Sequence, residues 1–210
     1  LAVDGGGHVT WWVDDAEPAT LAVASAAGLA PHRALHEMRR PLPHEQRAAV
    51  ATRPFRPGID DSAWIHVNNR AFADHAEQGG WTPEILASRL DAEWFDADGF
   101  RLYEIDGELA AFCWTKVHPA TATDPELGEI YVIAVDPAFH GRGLGKQLTL
   151  AGLDWLSDHG VATADLYVDA ANTAAVGLYE RLGFAVHRTR TAFAGTVAPA
   201  EPPTRSHEEP

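Results

Sequence analysis

Several features that would define other protein classes are scarce or missing in this sequence. Its one cysteine, Cys113, cannot form a disulfide within the chain, and its 11 histidines show no Cys/His spacing typical of zinc sites. Lysine and arginine number 16 against 30 acidic residues, so the formal charge is −14 and there is no basic stripe for nucleic acid. We therefore expect neither a metal site nor a nucleic-acid partner.

Long hydrophobic runs are also missing. No apolar stretch approaches the roughly 20 residues of a membrane span, and residues 1–20 lack the basic-then-apolar order of a signal peptide. We expect a cytoplasmic protein without a membrane partner. With 210 residues and 46% hydrophobic content, the chain can bury one full core and part of a second.

The most informative segment present is an apolar strand that runs into a glycine-rich turn. Residues 129–137 read EIYVIAVDP and lead into residues 140–146, HGRGLGK. Glycines at 141, 143 and 145 allow an anion to approach the backbone, and the amides that open the following helix favour negative charge. A dinucleotide fingerprint would need glycine at 146 and a P-loop would need glycine at 140, so both of those interpretations fail.

A second motif follows about 30 residues downstream. Residues 164–169 have the pattern of a strand, and residues 172–183 that of a helix with Asn172 as N-cap and Gly183 as its left-handed C′ residue. Tyr179 lies in this helix. On burial statistics alone it would be a core aromatic, and only the glycine turn upstream favours a functional role.

Together the two motifs resemble the GCN5-related N-acetyltransferases (GNAT family). The coenzyme A loop of that family has the form Gln/Arg-x-x-Gly-x-Gly/Ala, from which His140 departs at the first position, and its penultimate helix has an Asn-x-x-Ala start and a tyrosine before Gly-Phe. The resemblance implies an α/β (α+β) acyl-CoA N-acyltransferase fold with a mixed central sheet flanked by helices. It also implies acetyl-CoA as co-substrate, with the Tyr179 hydroxyl facing its sulfur.

One strand–helix–strand pattern occurs twice. Residues 12–33 align without a gap onto residues 167–188, an offset of 155 residues (167 minus 12), with Glu17 in place of Asn172 and Ala24 in place of Tyr179. We therefore expect residues 1–40 to be the C-terminal fragment of a degenerate first GNAT repeat, 41–52 a linker, 53–195 a complete catalytic GNAT domain and 196–210 a disordered tail. A monomer is expected, with association through the truncated repeat as the alternative.

Hydrophobic periodicity and turn residues predict the other elements. The predicted strands cover 8–13, 33–40, 53–56, 100–105, 108–118, 128–135 and 164–169, with a last strand after the final helix, and the predicted helices cover 17–28, 60–72, a segment from 82, 142–159 and 172–183.

Four longer phrases resemble the mycothiol synthase family of tandem acetyltransferases. They read VNN at 67–69, HAEQGGW at 75–81, WTKVHP at 114–119 and GEIYVIAVDP at 128–137. This resemblance implies transfer of acetyl from acetyl-CoA to the cysteinyl amine of a cysteinyl-glucosaminyl-inositol, a small-molecule thiol precursor, in the final step of mycothiol biosynthesis.

The resemblance also implies the site residues. The acceptor would be bound by Glu77, Lys116, Glu129 and Tyr167, and acetyl-CoA by Ile133, Ala134, Val135, His140, Gly141, Arg142, Gly143, Leu144, Gly145, Lys146, Asn172, Thr173, Ala174, Ala175, Val176 and Gly177. Glu129 would serve as general base and Tyr179 as general acid. The alternatives are a GNAT enzyme for another small amine or a protein N-terminus, and a non-catalytic acyl-CoA sensor.

Overall fold

The computed structural model describes residues 7–73 and 78–197. Within them the predicted elements form, with ends that differ by a few residues. The strands are β1 (Gly7–Asp14), β2 (Ala30–Pro41), β3 (Arg53–Pro54), β4 (Phe100–Ile105), β5 (Glu108–His118), β6 (Leu127–Val135), β7 (Thr163–Asp169) and β8 (Ala185–Val197), and the helices are α1 (Pro18–Ala26), α2 (Asp61–Ala71), α3 (Pro83–Leu90), α4 (Leu144–Asp158) and α5 (Thr173–Arg181). None of these helices has both the length and the apolar character needed to cross a membrane.

The chain divides into two compact units whose limits differ from the predicted domain boundaries. One unit contains residues 1–37, 168–177 and 186–210, and the other contains 38–167 and 178–185. The difference arises because β8 pairs antiparallel with β1, from Asp14↔Arg190 to Gly7↔Val197. The predicted tail also begins too early, since residues 196–197 are the end of β8, and the remainder of that tail lies outside the described residues.

In the first unit the strands follow the order β1-β8-β2. The end of β7 lies beside β2, where the amide of Ala170 donates to the carbonyl of Ala34 over 2.9 Å. A small core forms around Ala24, Leu29 and Phe193, all at most 4% exposed.

In the second unit the order is β7-β6-β5-β4-β3, with β7 and β6 parallel and the remaining pairs antiparallel. The hairpin between β4 and β5 turns at Asp106-Gly107, whose φ angles of 53° and 83° are both left-handed, as an Asp-Gly turn requires. The predicted hairpin is therefore confirmed at the expected residues.

The second unit packs helices on both faces of its sheet because successive side chains of a strand point in opposite directions. Phe112 and Trp114 join an aromatic core with Trp64 of α2 and Leu86 of α3. Cys113, between them, faces α4, where a Cβ added to Gly152 would lie 2.6 Å from its sulfur. Gly152 thus lets α4 approach the sheet closely.

The predicted linker 41–52 is fastened to α4. The amide of Ala48 donates to Asp154 over 2.9 Å, and the amide of Ala49 donates to Gln147 over 2.7 Å. The Arg47 guanidinium pairs with Asp158 at 2.9 Å. Because the acceptors lie along one stripe of the helix, this segment is a strap on α4 and not a free tether.

Candidate active site

The glycine-rich turn has the geometry of an anion cradle. Gly141 and Gly143 both have left-handed φ angles, 77° and 72°, and a Cβ at either would meet no atom within 4 Å. Gly143 is the N-cap of α4, so the helix begins at Leu144 and not at residue 142 as predicted, because left-handed residues cannot belong to it. The first amides of α4 have no acceptor within the helix and border this open space.

His140, which departs from the family motif, is bound to the end of the preceding strand. Its Nε2 lies 3.0 Å from the carbonyl oxygen of Val135. Before it, the buried carboxylate of Asp136 accepts a hydrogen bond from the amide of Ala138 over 2.8 Å. Two side-chain contacts therefore shape the turn between β6 and α4, and His140 has a structural role there.

The two parallel strands β6 and β7 separate beside this turn. Among the described residues they pair only at Gly128↔Ala164 and Glu129↔Asp165. The amide of Asp136 donates to Ala110 of β5, and since amide directions alternate along a strand, those of Ile133 and Val135 point away from β5. These amides are thus directed to the side where β7 has separated, as expected for donors to a bound acyl-CoA.

Glu129 is the last residue of β6 that pairs with β7. Its cross-strand partner on β5 is Lys116, yet its Oε2 lies 2.7 Å from Nε2 of His118. The Lys116 ammonium instead lies over two aromatic rings, 4.7 Å from the centroid of Trp94 and 5.7 Å from that of Tyr131. Sequence reasoning missed Trp94, Tyr131 and the contact of His118, although the two-residue spacing of Lys116 and His118 on one strand placed both on the same face.

Tyr131 is also the residue at which β6 is irregular. Trp114 pairs with Val132 and Thr115 with Ile130, so Tyr131 has no opposite residue on β5. This bulge lies between Glu129 and the amides of Ile133 and Val135, which point away from β5. Because Tyr131 follows Glu129 by two residues, strand alternation places it on the face of Glu129 and Lys116. The bulge instead brings Val132 opposite Trp114, whose core cluster it joins.

Tyr179 is buried in α5, with its ring 5.9 Å from that of Phe184. Burial, with a smaller contribution from the Cys113 thiol, raises the pKa of the Tyr179 phenol to about 12. Burial likewise raises the pKa of Cys113 to about 12. The phenol therefore keeps its proton at neutral pH and can only donate it.

The contacts described above do not connect the remaining predicted site residues to Glu129, Lys116 or Tyr179. Tyr167 is 45% exposed on β7. Asn172 caps α5, where its Oδ1 accepts from the amide of Ala175 over 3.1 Å, and residues 172–177 belong to the first unit. Glu77 lies outside the described residues. No cluster of His, Cys, Asp and Glu suited to a metal occurs in the described part of the chain.

Comparison with known proteins agrees with this geometry. The family model described as "Acetyltransferase (GNAT) family" matches residues 64–184, from α2 to the residue before β8. The chain belongs to the GNAT acetyltransferase family.

Several curated relatives of the chain are mycothiol acetyltransferases. The chain is 50% identical over 186 residues to a mycothiol acetyltransferase from Thermobispora bispora, a match that covers 86% of this chain and 63% of that protein. Further mycothiol acetyltransferases match at similar identity. The chain spans less than two thirds of the length of these relatives.

Solved GNAT structures share the fold. A GCN5-related N-acetyltransferase from Sphaerobacter thermophilus superimposes with a TM-score of 0.71 at 23% identity, covering 94% of this chain and 62% of that one. The ribosomal-protein-S18-alanine N-acetyltransferase from Escherichia coli does so with a TM-score of 0.51 at 26% identity, covering 73% of this chain and 97% of that one. The predicted fold class is confirmed.

Proposed function

We propose that the chain transfers acetyl from acetyl-CoA to the cysteinyl amine of 1D-myo-inositol 2-(L-cysteinylamino)-2-deoxy-glucopyranoside, the last step of mycothiol biosynthesis. The observation that carries this proposal is the position of Glu129, a carboxylate at the point where β6 and β7 part. The name of the relatives at about 50% identity supports the choice of acceptor. We further propose a cytoplasmic monomer.

Each step of the reaction has a group in the second unit suited to it. Glu129 takes a proton from the attacking amine, directly or through water. The amides of Ile133 and Val135 donate to the thioester oxygen as it gains negative charge. Tyr179, protonated at neutral pH, supplies a proton to the departing thiolate.

Acetyl-CoA fits the glycine turn on two grounds. The pyrophosphate would occupy the open space beside Gly141 and Gly143, where its charge meets the amides at the start of α4. Arg142 and Lys146 add positive charge in a chain that is acidic overall. On the acceptor side, Lys116 together with the aromatic rings of Trp94 and Tyr131 offers both a cation and flat apolar surface to a hydroxylated sugar.

The deciding experiment compares acceptors and the Glu129→Gln variant. The purified chain is given acetyl-CoA with the cysteinyl pseudodisaccharide, with a simple amine, or with a peptide that begins with alanine. We expect turnover of the first, and a kcat roughly 10²–10⁴-fold lower in Glu129→Gln with acetyl-CoA affinity retained. Preference for the peptide would support the protein N-terminal alternative, and binding without turnover of any acceptor would support the sensor alternative.

The cofactor assignment has its own test in Gly143→Val. A branched side chain at a left-handed position projects into the space proposed for pyrophosphate, so acetyl-CoA binding should be lost in calorimetry. Gly58→Val is the matched control, because Gly58 has a similar φ of 77° and open surroundings but lies before α2. Retained affinity in Gly143→Val would contradict the proposed cradle.

A further inference from the structure

The hydrogen bond between His118 and Glu129 has no part in the mechanism above. It joins β5 to β6 diagonally, since His118 pairs with Leu127 and Glu129 with Lys116. The Glu129 side chain is 12% exposed and that of His118 is 37% exposed. A carboxylate this buried needs hydrogen-bond donors, and the histidine ring supplies one on the solvent side.

Lys116, the obvious partner by register, is engaged elsewhere. Its ammonium lies over Trp94 and Tyr131, where the negative faces of the two rings attract it. The sheet therefore separates the two nitrogen-bearing side chains that flank Glu129. Lys116 is held against the rings of Trp94 and Tyr131, whereas His118 makes the 2.7 Å contact to the carboxylate.

The hydrogen bond also defines which atoms remain for chemistry. An ionised carboxylate only accepts hydrogen bonds, so Nε2 of His118 must carry the proton and donate to Oε2. This leaves Oε1 of Glu129 to receive a proton from the acceptor amine. A general base gains from such fixation because proton transfer requires a defined distance and direction.

We propose that His118 is a positioning residue for this reaction, which holds Glu129 by Oε2 and aims Oε1 at the acceptor amine. The inference rests on the proposed function, in which Glu129 is the base. In this role His118 acts on the reaction through Glu129, the carboxylate that it contacts at 2.7 Å.

A double-mutant cycle tests that dependence. We expect His118→Ala to lower kcat about 10- to 100-fold, as loss of an orienting partner does, with the KM for acetyl-CoA unchanged. In the Glu129→Gln background the same change should alter kcat by no more than about 2-fold, because the base it positions is gone. Equal effects in both backgrounds would overturn the proposal.

Conservative variants distinguish loss of the hydrogen bond to Glu129 from loss of side-chain volume at position 118. His118→Gln places an amide donor near the position of Nε2 and should recover most of the activity, whereas His118→Asn is too short to reach Oε2 and should not. His187→Ala, at an exposed histidine of β8, is the matched control with unchanged rate. Equal loss in the Gln and Asn variants would contradict positioning through Nε2.

A spectroscopic measurement keeps the contact testable apart from turnover. Nitrogen-15 NMR of the full chain should find the His118 ring protonated on Nε2, and this preference should weaken in Glu129→Gln. Absence of the preference would overturn the inference whatever the activity. If Glu129→Gln leaves the rate unchanged, the base assignment fails. If Glu129→Gln lowers the rate and His118→Ala does not, only the role of His118 fails.

Discussion

The two strand–helix–strand segments, β1-α1-β2 and β7-α5-β8, have corresponding helix boundaries and different side chains at the two positions proposed to carry chemistry. The first strands end at Asp14 and Asp169, the helices cover 18–26 and 173–181, and the last strands begin at 30 and 185, each displaced by the 155 residues seen in the alignment. Both helices are followed by a left-handed glycine, Gly28 with φ 74° and Gly183 with φ 83°.

The differences lie where the second segment caps its helix and where it presents a phenol. Glu17 makes no side-chain capping bond, whereas Asn172 caps α5. Ala24 is 1% exposed at the position of Tyr179, which is 8% exposed. Both positions are buried, so the two helices pack these positions alike although only the second carries a phenol. Fold and chemistry are thus specified by different residues.

The strand order of the first unit connects the two segments. In the first unit β8 lies between β1 and β2, so the last strand of one segment separates the two strands of the other. Because β8 needs both neighbours, this placement predicts that residues 53–195 fold less stably without residues 1–40. Proteolysis in the strap 41–52 should then leave both pieces associated, as a native gel would reveal.

Exchanging single residues between the two segments should have its largest effect at Tyr179→Ala, which places in α5 the residue found at the corresponding position of α1. Removing a buried ring leaves a cavity beside Phe184 and should lower the free energy of unfolding by about 3–5 kcal/mol in urea titrations. Tyr179→Phe is the control: it keeps the ring, should change stability by about 1 kcal/mol or less, and should still lower kcat. A fully active Tyr179→Phe would remove the phenol from the mechanism.

The sequence predicted the elements well where local rules decide them. The Asp106-Gly107 hairpin, the cap Asn172 and the glycine Gly183 each depend on a few adjacent residues, and each is found where expected. The glycine-rich turn was also predicted from local sequence, because the left-handed backbone at 141 and 143 favours glycine.

What the sequence did not predict depends on register and on contacts distant along the chain. The bulge at Tyr131 shifts the β5–β6 register by one residue, and no local pattern marks it. The choice of His118 over Lys116 as partner of Glu129 follows from Trp94, which comes from a loop before β4. The unit boundaries depend on the β1–β8 pairing, which joins residues at opposite ends of the chain.

A smaller effect tests whether the two helix ends are equivalent. Gly28→Ala and Gly183→Ala each force a side chain into a left-handed conformation and should each cost about 1–2 kcal/mol of stability. Asparagine tolerates this conformation better, so Gly28→Asn and Gly183→Asn should cost less than the alanine variants. Chemical denaturation of the four variants measures this. A clearly cheaper change at one glycine would show that the two segments no longer depend alike on this turn.

The smallest expected effect concerns the helix starts. Asn172→Ala removes the acceptor for the amide of Ala175 and should lower the free energy of unfolding by about 1 kcal/mol. Glu17→Asn should have the opposite sign, because Glu17 already has the extended backbone of an N-cap, with φ −86° and ψ 167°, and lacks only a side chain that reaches the amide of Thr20. Glu17→Ala serves as the control and should fall near the parent chain. If Glu17→Asn brings no gain in denaturation midpoint, the correspondence between the two segments does not extend to a usable N-cap, and the backbone at Glu17 differs from that at Asn172 in a way that prevents capping.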